Sequence, residues 1–331
     1  MTQISSDPHF KPHFKIVVSI INFRTADLTL HCLRSALDDL AGIDGHVVIV
    51  DNCSGDGSAE VIAEALAALP ADTPVTLVRS TTNSGFSGGH NQGMGAYRAD
   101  FYLVLNSDAL LRPGFFRAML AGADATPNAG LFAPRIDHDD GLQQISCFRF
   151  PGPVSELIRG AQSGPVTRFF AHREVSLQMP PVPDQIDWAS FACILLRGTM
   201  VSSIGPMDEG YFLYFEDIDY CLMARRAGWK IVHLPEARAV HFRGGSGPVK
   251  SLAKERKRLP AYYYASRTRF LYRAHGWFGL IWANLAWCIG RCIVQFRRLV
   301  GKPVPASNKA EARDIWTNAL TPLGDRRAMG D

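Results

Sequence analysis

The sequence predicts an α/β fold in which a mostly parallel, Rossmann-like sheet carries helices on both faces. From residue 15 to residue 105, short β-branched runs alternate with stretches of helical spacing. Such a βαβαβαβ order needs crossover connections that cover the sheet on both sides. The 331 residues are 47% hydrophobic and 20% charged, so the chain can bury a large core.

The elements of this fold can be assigned in order. Strands are expected at 15–21, 46–50, 75–79 and 101–105, and helices at 25–40, 59–69 and from the end of the loop 83–89 to about residue 99. Further strands are expected at 131–135, 144–150, 186–196, 231–235 and 237–240. Residues 151–185 are rich in Pro, Gly and Ser and are predicted to form a mobile excursion.

The cysteines and the N-terminus bear on the cellular compartment. The seven Cys residues are odd in number and include no CxxC pair, which favours a reducing compartment and disfavours a disulfide framework or a structural zinc site. Residues 1–15 contain no apolar run typical of a signal peptide. We therefore expect a cytoplasmic location.

The basic charge is concentrated in the C-terminal region. Residues 250–331 hold 16 Lys/Arg against 5 Asp/Glu, whereas residues 1–249 hold 19 against 26. The apolar stretch 277–290 is shorter than the roughly 20 residues of a spanning helix. An amphipathic interfacial helix on an anionic membrane surface, through 250–300, is one interpretation, and a core helix packed on the main domain is the other. Nucleic acid is disfavoured, because the aromatic residues cluster with aliphatic ones.

Polar clusters follow four of the predicted strands. They are Asn22, 51–56, 83–91 and 106–108. Ligands of open α/β sheets bind at the carboxyl ends of strands, so a site is expected there. Each cluster taken alone could equally be a turn or a helix cap.

A fifth feature is the stretch from Tyr211 to Gly228, in which aromatic residues precede Glu216, Asp217 and Asp219. Acids in the first turn of a helix favour its positive end. The alternative is a catalytic base whose pKa is raised by the apolar surroundings and by a like charge.

These motifs, in this order, resemble the family-2 inverting glycosyltransferases with a GT-A fold, in particular the rhamnosyltransferase-like branch. The resemblance covers about residues 15–245 and rests on six motifs, of which three are the segments 51–58, 83–91 and 105–108 and three are further stretches. These are IDWASFACILLRG, IGPMDEGYFLYFEDIDYCLMARRAGWKI and AVHFRGGS. It implies a GT-A domain at 1–249, with a nucleotide-sugar half at about 15–112 and an acceptor half at about 113–249, followed by a helical appendage at 250–331.

The resemblance also implies roles for particular residues. Asp108 matches the last acid of the family's DxD motif and His241 its second metal ligand for Mg²⁺ or Mn²⁺, while Asn106 stands where many members carry Asp. Asp217 matches the general base. The residues that match the donor-binding positions are Asn22, Arg24, Asp51, Asn83, Gly85, His90, Asn91, Asn106 and Asp108.

The acceptor side follows from the same resemblance. Trp188 and Glu216 are expected to contact the acceptor. Adjacent helix positions point about 100° apart, so Glu216 and Asp217 cannot face the same atom. Asp219 is expected to have a structural role and to pair with Arg225 or Arg226.

The implied activity is transfer of a sugar, such as the deoxyhexose rhamnose, to a glycan or lipid-linked acceptor of a bacterial surface polysaccharide. The donor would be dTDP- or UDP-linked, and the protein would lie on the inner face of the membrane. Two other classes stay open: a sugar-nucleotide pyrophosphorylase and a non-catalytic nucleotide-sugar-binding scaffold. The first is disfavoured because residues 21–27 hold no glycine-rich triphosphate loop.

Overall fold

The computed structural model describes residues 11–242, 248–299, 301–303, 306–326 and 328. They fall into two compact units. Unit 1 lies within Met1–Ser146, Ala189–Met207 and Met223–Ser246, and unit 2 lies within Cys147–Trp188, Asp208–Leu222 and Gly247–Asp331. The basic C-terminal region is therefore one of three segments of unit 2.

The secondary structure alternates strands and helices in the first half of the chain. The strands are β1 (His13–Asn22), β2 (Gly45–Asp51), β3 (Val75–Arg79), β4 (Arg98–Asn106), β5 (Ala109–Leu111), β6 (Ala129–Asp137), β7 (Cys147–Phe148), β8 (Trp188–Ala189), β9 (Cys193–Arg197) and β10 (Lys230–His241). The helices are α1 (Ala26–Asp39), α2 (Ser58–Ala67), α3 (Gly85–Gly95), α4 (Phe115–Ala125), α5 (Pro153–Ala161), α6 (Gly164–Phe169), α7 (Gly198–Ile204), α8 (Glu216–Arg226), α9 (Val249–Lys254), α10 (Ala261–Leu299) and α11 (Glu311–Asp314).

Unit 1 is built on an eight-stranded sheet, which confirms the predicted fold class. Its order is β3-β2-β1-β4-β9-β6-β10-β5, and only β9 and β5 run antiparallel to their neighbours. The four strands predicted first, β1 to β4, form one parallel half of the sheet. The apolar runs of β1, β2 and β4 are mostly buried because helices cover both faces of the sheet, whereas the edge strand β3 is only half-buried.

The glycine-rich segment 83–89 is mostly helical, so its prediction as a loop is wrong. Helix α3 begins at Gly85, whose φ is +72°. A Cβ at Gly89 would lie 2.7 Å from Ile21 Cδ1, and one at Gly93 would lie 2.2 Å from Ser19 Oγ. These glycines therefore bring the helix against β1, although glycine disfavours helices intrinsically.

Residues 151–185 contain more regular structure than their composition indicated, and the predicted mobility of this segment stays a prediction. They include α5 and α6, and α5 packs tightly on α10 within unit 2. A Cβ on Gly160 would lie 2.3 Å from the Trp287 carbonyl oxygen, and one on Gly290 would lie 2.5 Å from the Ala161 nitrogen. The two glycines therefore allow α5 and α10 to pack closely. The high content of Pro, Gly and Ser in residues 151–185 did not indicate this packing.

The strands predicted at 144–150 and 186–196 are shorter than expected. The two strands predicted at 231–235 and 237–240 form a single strand, β10. Residues 144–150 contain only β7, and 186–196 contain β8 and β9 separated by a turn. β10 runs through Pro235, where its register against β6 shifts. Proline lacks the N–H that a regular ladder requires, which explains the shift.

Helix α10 is longer than the predicted apolar stretch, and Gly276 breaks it with φ 68° and ψ −173°. Within the described part of the chain it is the one helix whose length and composition would suffice to cross a membrane, and 39% of its apolar window is buried in the protein. A core helix can meet the same criterion, so this is weak evidence for a spanning segment.

Candidate active site

Asp108 and His241 lie side by side in unit 1 because of the last strand pairing of the sheet. β5 pairs with β10 so that Ala109 is opposite His241, and this places the preceding residue, Asp108, beside the imidazole. His241 Nε2 lies 3.1 Å from Asp108 Oδ1, and the two side chains are only 9% and 3% exposed. Asn106 Nδ2 lies 3.4 Å from the same imidazole nitrogen.

A carboxylate and an imidazole at this distance fit a partial coordination shell. Mg²⁺ is usually bound through one or two carboxylates together with substrate phosphates. Mn²⁺ also accepts oxygen ligands, and imidazole is a common transition-metal ligand. Among the described residues no group of three or more His, Cys, Asp or Glu side chains could hold an ion. Phosphate oxygens of a substrate and water would be suitable further ligands for a cation at this pair.

Asn22 connects the ends of β1 and β2. Its Nδ2 donates to Asp51 Oδ1 at 2.7 Å and to the hydroxyls of Ser54 and Ser58 at 3.1 and 2.9 Å. Its Oδ1 accepts from the Thr29 hydroxyl at 3.1 Å. Asn22 is fully buried and Asp51 is 5% exposed. The amide therefore holds Asp51, one of the predicted donor-binding residues, in position, which favours a positioning role for Asn22 over a direct donor contact.

Asn52 organises the next loop, and sequence reasoning missed it. Its Oδ1 accepts from the Ser84 N–H and hydroxyl, each at 3.0 Å. Its Nδ2 donates to Asn83 Oδ1 at 3.1 Å and to the Gly85 carbonyl at 2.9 Å. The signal available was its place in a strand-end polar cluster, but the partners are 31 to 33 residues away.

The other predicted donor residues of unit 1 occupy different environments. Arg24 is exposed, has φ +59° and donates from Nε to the Ser54 carbonyl at 3.0 Å. His90 is 1% exposed, its Nδ1 lies 2.9 Å from Ser19 Oγ, and burial lowers its pKa to about 3. Asn91 is held by two hydrogen bonds to the Met207 backbone, at 2.9 and 3.0 Å. These contacts give His90 and Asn91 a structural role, and their donor roles stay predictions.

In unit 2 a strained turn leads into the acids of α8. Tyr214 and Phe215 have φ of +70° and +69°, in the left-handed region that non-glycine residues rarely occupy. Tyr263 contacts both rings, with centroids 5.7 and 5.6 Å away. The left-handed conformation costs a non-glycine residue about 1–3 kcal/mol. The packing of Tyr263 from α10 against both rings offsets part of this cost.

The two acids that follow differ in their surroundings. Glu216 is 6% exposed, and its Oε2 has no hydrogen-bond partner in the described structure. Burial, and then the charge of Asp217, raise the pKa of Glu216 well above its usual range. Asp217 is half-buried, and its Oδ1 accepts from the Ile218 N–H at 2.9 Å. The raised pKa predicted for Asp217 stays a prediction.

Asp219 pairs with Arg273, so the predicted partners Arg225 and Arg226 are wrong. Arg273 Nε lies 2.8 Å from Asp219 Oδ1, and Asp219 is 1% exposed. Burial raises the pKa of Asp219 although Arg273 opposes the shift. The correct partner lies 54 residues along the chain on α10, which spacing within α8 could not indicate.

Trp188, the other predicted acceptor residue, stacks on Phe148 with ring centroids 4.1 Å apart. Its Nε1 donates to the Arg149 carbonyl at 3.0 Å. Its acceptor role stays a prediction.

Several solved structures have a similar fold. The mannosyltransferase PcManGT of Pyrobaculum calidifontis, in complex with GDP-Man and Mn²⁺, matches with a TM-score of 0.53 at 15% identity, over 91% of this chain and 79% of that one. S. aureus TarS 1-349 matches with a TM-score of 0.53 at 14% identity, over 93% and 80%. These similarities show that the chain has a GT-A-like fold.

Sequence comparison is more specific. The model of glycosyltransferase-like family 2 matches residues 12–265, and the chain belongs to this family. An N-acetylglucosaminyl-diphospho-decaprenol L-rhamnosyltransferase of Mycobacterium tuberculosis is 28% identical over 232 residues, 64% of this chain and 72% of that protein. The hexosyltransferase Agl10 of low-salt glycan biosynthesis in Haloferax volcanii is 23% identical over 68% and 66%. Family membership sets aside the pyrophosphorylase and the non-catalytic scaffold.

Proposed function

We propose that this glycosyltransferase is a metal-dependent inverting enzyme that transfers a deoxyhexose such as rhamnose to a lipid-linked acceptor. The observation that carries the metal dependence is the buried contact of 3.1 Å between Asp108 and His241. The sugar and the acceptor class rest on the name of the M. tuberculosis relative, whose substrates those are. A dTDP- or UDP-linked sugar is the proposed donor.

On the donor side, Asp108 and His241 would hold Mg²⁺ or Mn²⁺. The ion supplies charge neutralisation on the diphosphate that leaves the sugar. The exposed guanidinium of Arg24 would add a cation for the phosphates, and Asp51 would accept hydrogen bonds from the nucleoside. The structure of PcManGT in complex with GDP-Man and Mn²⁺ supports this assignment.

On the acceptor side, Asp217 would act as the general base. It accepts the proton of the acceptor hydroxyl while that oxygen attacks the anomeric carbon. Burial raises the pKa of Glu216 and so favours its protonated form, in which the Glu216 carboxyl would donate a hydrogen bond to the acceptor.

We also propose that the protein lies on the inner face of the cytoplasmic membrane. Within unit 2, one face of α10 after Gly276 exposes large apolar side chains: Trp277, Phe278, Ile281, Trp282, Leu285, Ile289, Phe296 and Leu299. The end of the helix is basic at Arg297 and Arg298, and Lys302 follows. An apolar stripe beside cations is the pattern of an interfacial helix on anionic lipid.

Liposome flotation tests the membrane proposal. Phe278→Glu and Phe296→Glu together should release the protein from anionic vesicles, whereas Val61→Glu, at an exposed position on α2, should not. Equal flotation of the double variant and the parent chain would count against the proposed membrane face.

The activity itself is tested with the full chain and a donor panel. We expect transfer from dTDP-L-rhamnose or a UDP-sugar to N-acetylglucosaminyl-diphospho-polyprenol, lost on chelation and restored by Mn²⁺ or Mg²⁺. NMR of the product should show inversion at the anomeric carbon. Retention of configuration, or activity unchanged by chelation, would contradict the proposal.

A further inference from the structure

Unit 2 contains a cavity of about 330 Å³ that none of the assigned roles uses. Its wall is formed by α5, by residues 174–176, by the start of α8 and by the first part of α10. This volume is at the lower end of the range for small-molecule pockets.

The charged groups of the cavity balance one another. Arg159 Nη2 and Arg267 Nη2 each lie 2.7 Å from Glu156 Oε2. Burial alone would raise the pKa of Glu156, but the two guanidinium groups lower it to about 2, so the acid stays ionised. Glu174 is a second acid in the wall. With two guanidinium groups and two carboxylates, the wall has no net positive charge, so the cavity does not favour the binding of a phosphate group.

One polar group remains to be satisfied. Arg267 is 2% exposed, and its Nε has no hydrogen-bond partner among the residues that the structure describes. A buried donor left without an acceptor costs free energy. A ligand hydroxyl could accept this hydrogen bond, and the hydroxyls of Ser155 and Ser176 also line the cavity.

The rest of the wall is apolar and partly aromatic. Phe215 and Tyr263 meet at 61° with centroids 5.6 Å apart, and Ile218 lies in the same wall. A sugar ring presents C–H groups on its faces and hydroxyls around its edge. A cavity that combines aromatic surface with balanced, hydrogen-bonding charges is complementary to both features.

We infer that this cavity binds an uncharged sugar ring, and that the ring belongs to the acceptor. Phe215 and Ile218 flank Glu216 and Asp217 in the chain, so one turn supplies both the cavity wall and the proposed base. The assignment to the acceptor rests on the proposed function, whereas the affinity for a sugar ring does not.

A substitution at the rim tests the inference without disturbing the core. Ser176 is exposed and lines the cavity, and Ser176→Trp should fill its entrance. Gln178, two residues on, is exposed and does not line the cavity, so Gln178→Trp is the matched control. Saturation-transfer NMR with methyl β-glycosides of glucose and N-acetylglucosamine would report sugar binding.

We expect sugar signals with the parent chain and with Gln178→Trp, at least about a tenfold weaker affinity with Ser176→Trp, and no competition by inorganic pyrophosphate. No sugar binding to the parent chain, equal binding to both variants, or displacement by pyrophosphate would overturn the inference.

Transfer kinetics separate this inference from the proposed function. In Ser176→Trp the KM for the acceptor should rise about tenfold while the KM for the donor is unchanged. Transfer with an unaltered acceptor KM would refute the acceptor site and leave the proposed function standing. Sugar binding blocked by Ser176→Trp, in a chain that transfers no sugar from any donor, would refute the proposed function and retain the cavity as a sugar site.

Discussion

The imidazole of His241 lies 3.1 Å from the carboxylate of Asp108, at the end of the β5–β10 ladder. These residues are 133 positions apart in sequence, and a pairing of only three residues brings them together. The short edge strand β5 is therefore what completes the candidate metal site.

Removing this imidazole should weaken metal binding. His241→Gln removes one of two proposed protein ligands, and we expect the affinity for Mn²⁺, measured by calorimetry in the presence of the nucleoside diphosphate, to fall at least about tenfold. His233→Gln is the control, because His233 lies on the same strand outside the Asp108 contact. Unchanged Mn²⁺ affinity in His241→Gln would refute the ligand assignment.

The buried carboxyl of Glu216 should make stability depend on pH. Its folded pKa is raised, so its contribution is fully present below the unfolded pKa and is lost as pH rises towards the folded value. Glu216→Gln should therefore match the parent chain at low pH and gain on it by about 1.4 kcal/mol per pH unit through that window.

Thermal unfolding at a series of pH values measures this difference. Glu60→Gln is the control, because Glu60 is exposed and its hydrogen bond to Arg79 lowers its pKa, so this variant should show no gain at high pH. A constant difference between Glu216→Gln and the parent chain at every pH would show that the carboxyl does not titrate as proposed.

The pair of Asp219 and Arg273 gives a test of stability. Arg273→Met leaves the buried Asp219 without its cation, and we expect the free energy of unfolding to fall by about 3–5 kcal/mol. Arg226→Met removes an exposed cation that the sequence had suggested as the partner, and should cost less than about 1 kcal/mol. Denaturant titration of both variants decides the matter, and similar losses would contradict the pairing with Arg273.

The close contact of α3 with β1 predicts a second stability effect. Gly93→Ala would place a methyl group 2.2 Å from Ser19 Oγ, so we expect a loss of about 1–3 kcal/mol. Gly95→Ala, on the same helix with open space around it, should be neutral or stabilising by up to about 1 kcal/mol. Equal melting temperatures of the two variants would show that the helix can move away from the strand.

The core strands could be predicted from sequence because their signal is local. Runs such as Ile16–Val18 and Val47–Val50 are continuously apolar and β-branched, and a short run of this kind is typical of a buried strand. The start of helix α3 at Gly85 could not be predicted in the same way, since Gly89 is required by the close contact with β1 and glycine opposes the helical propensity.

In the candidate site, contacts that follow from the order of the strands could also be predicted, whereas contacts between residues distant in sequence could not. Asn22 and Asp51 are opposite each other at the carboxyl ends of the parallel strands β1 and β2, so their proximity could be predicted from the order of the elements. The sequence could not indicate that Asn91 is held by Met207 or that Asp219 is held by Arg273, because these partners are 116 and 54 residues away.

The turnover of Asp217→Asn tests the central claim most directly. With the natural donor and acceptor, we expect kcat to fall at least about a thousandfold while the donor dissociation constant changes less than about twofold, because only the base is removed. Glu209→Gln, an exposed acid of the same unit, should behave as the parent chain. Near-normal turnover in Asp217→Asn would contradict the assignment of this carboxylate as the base.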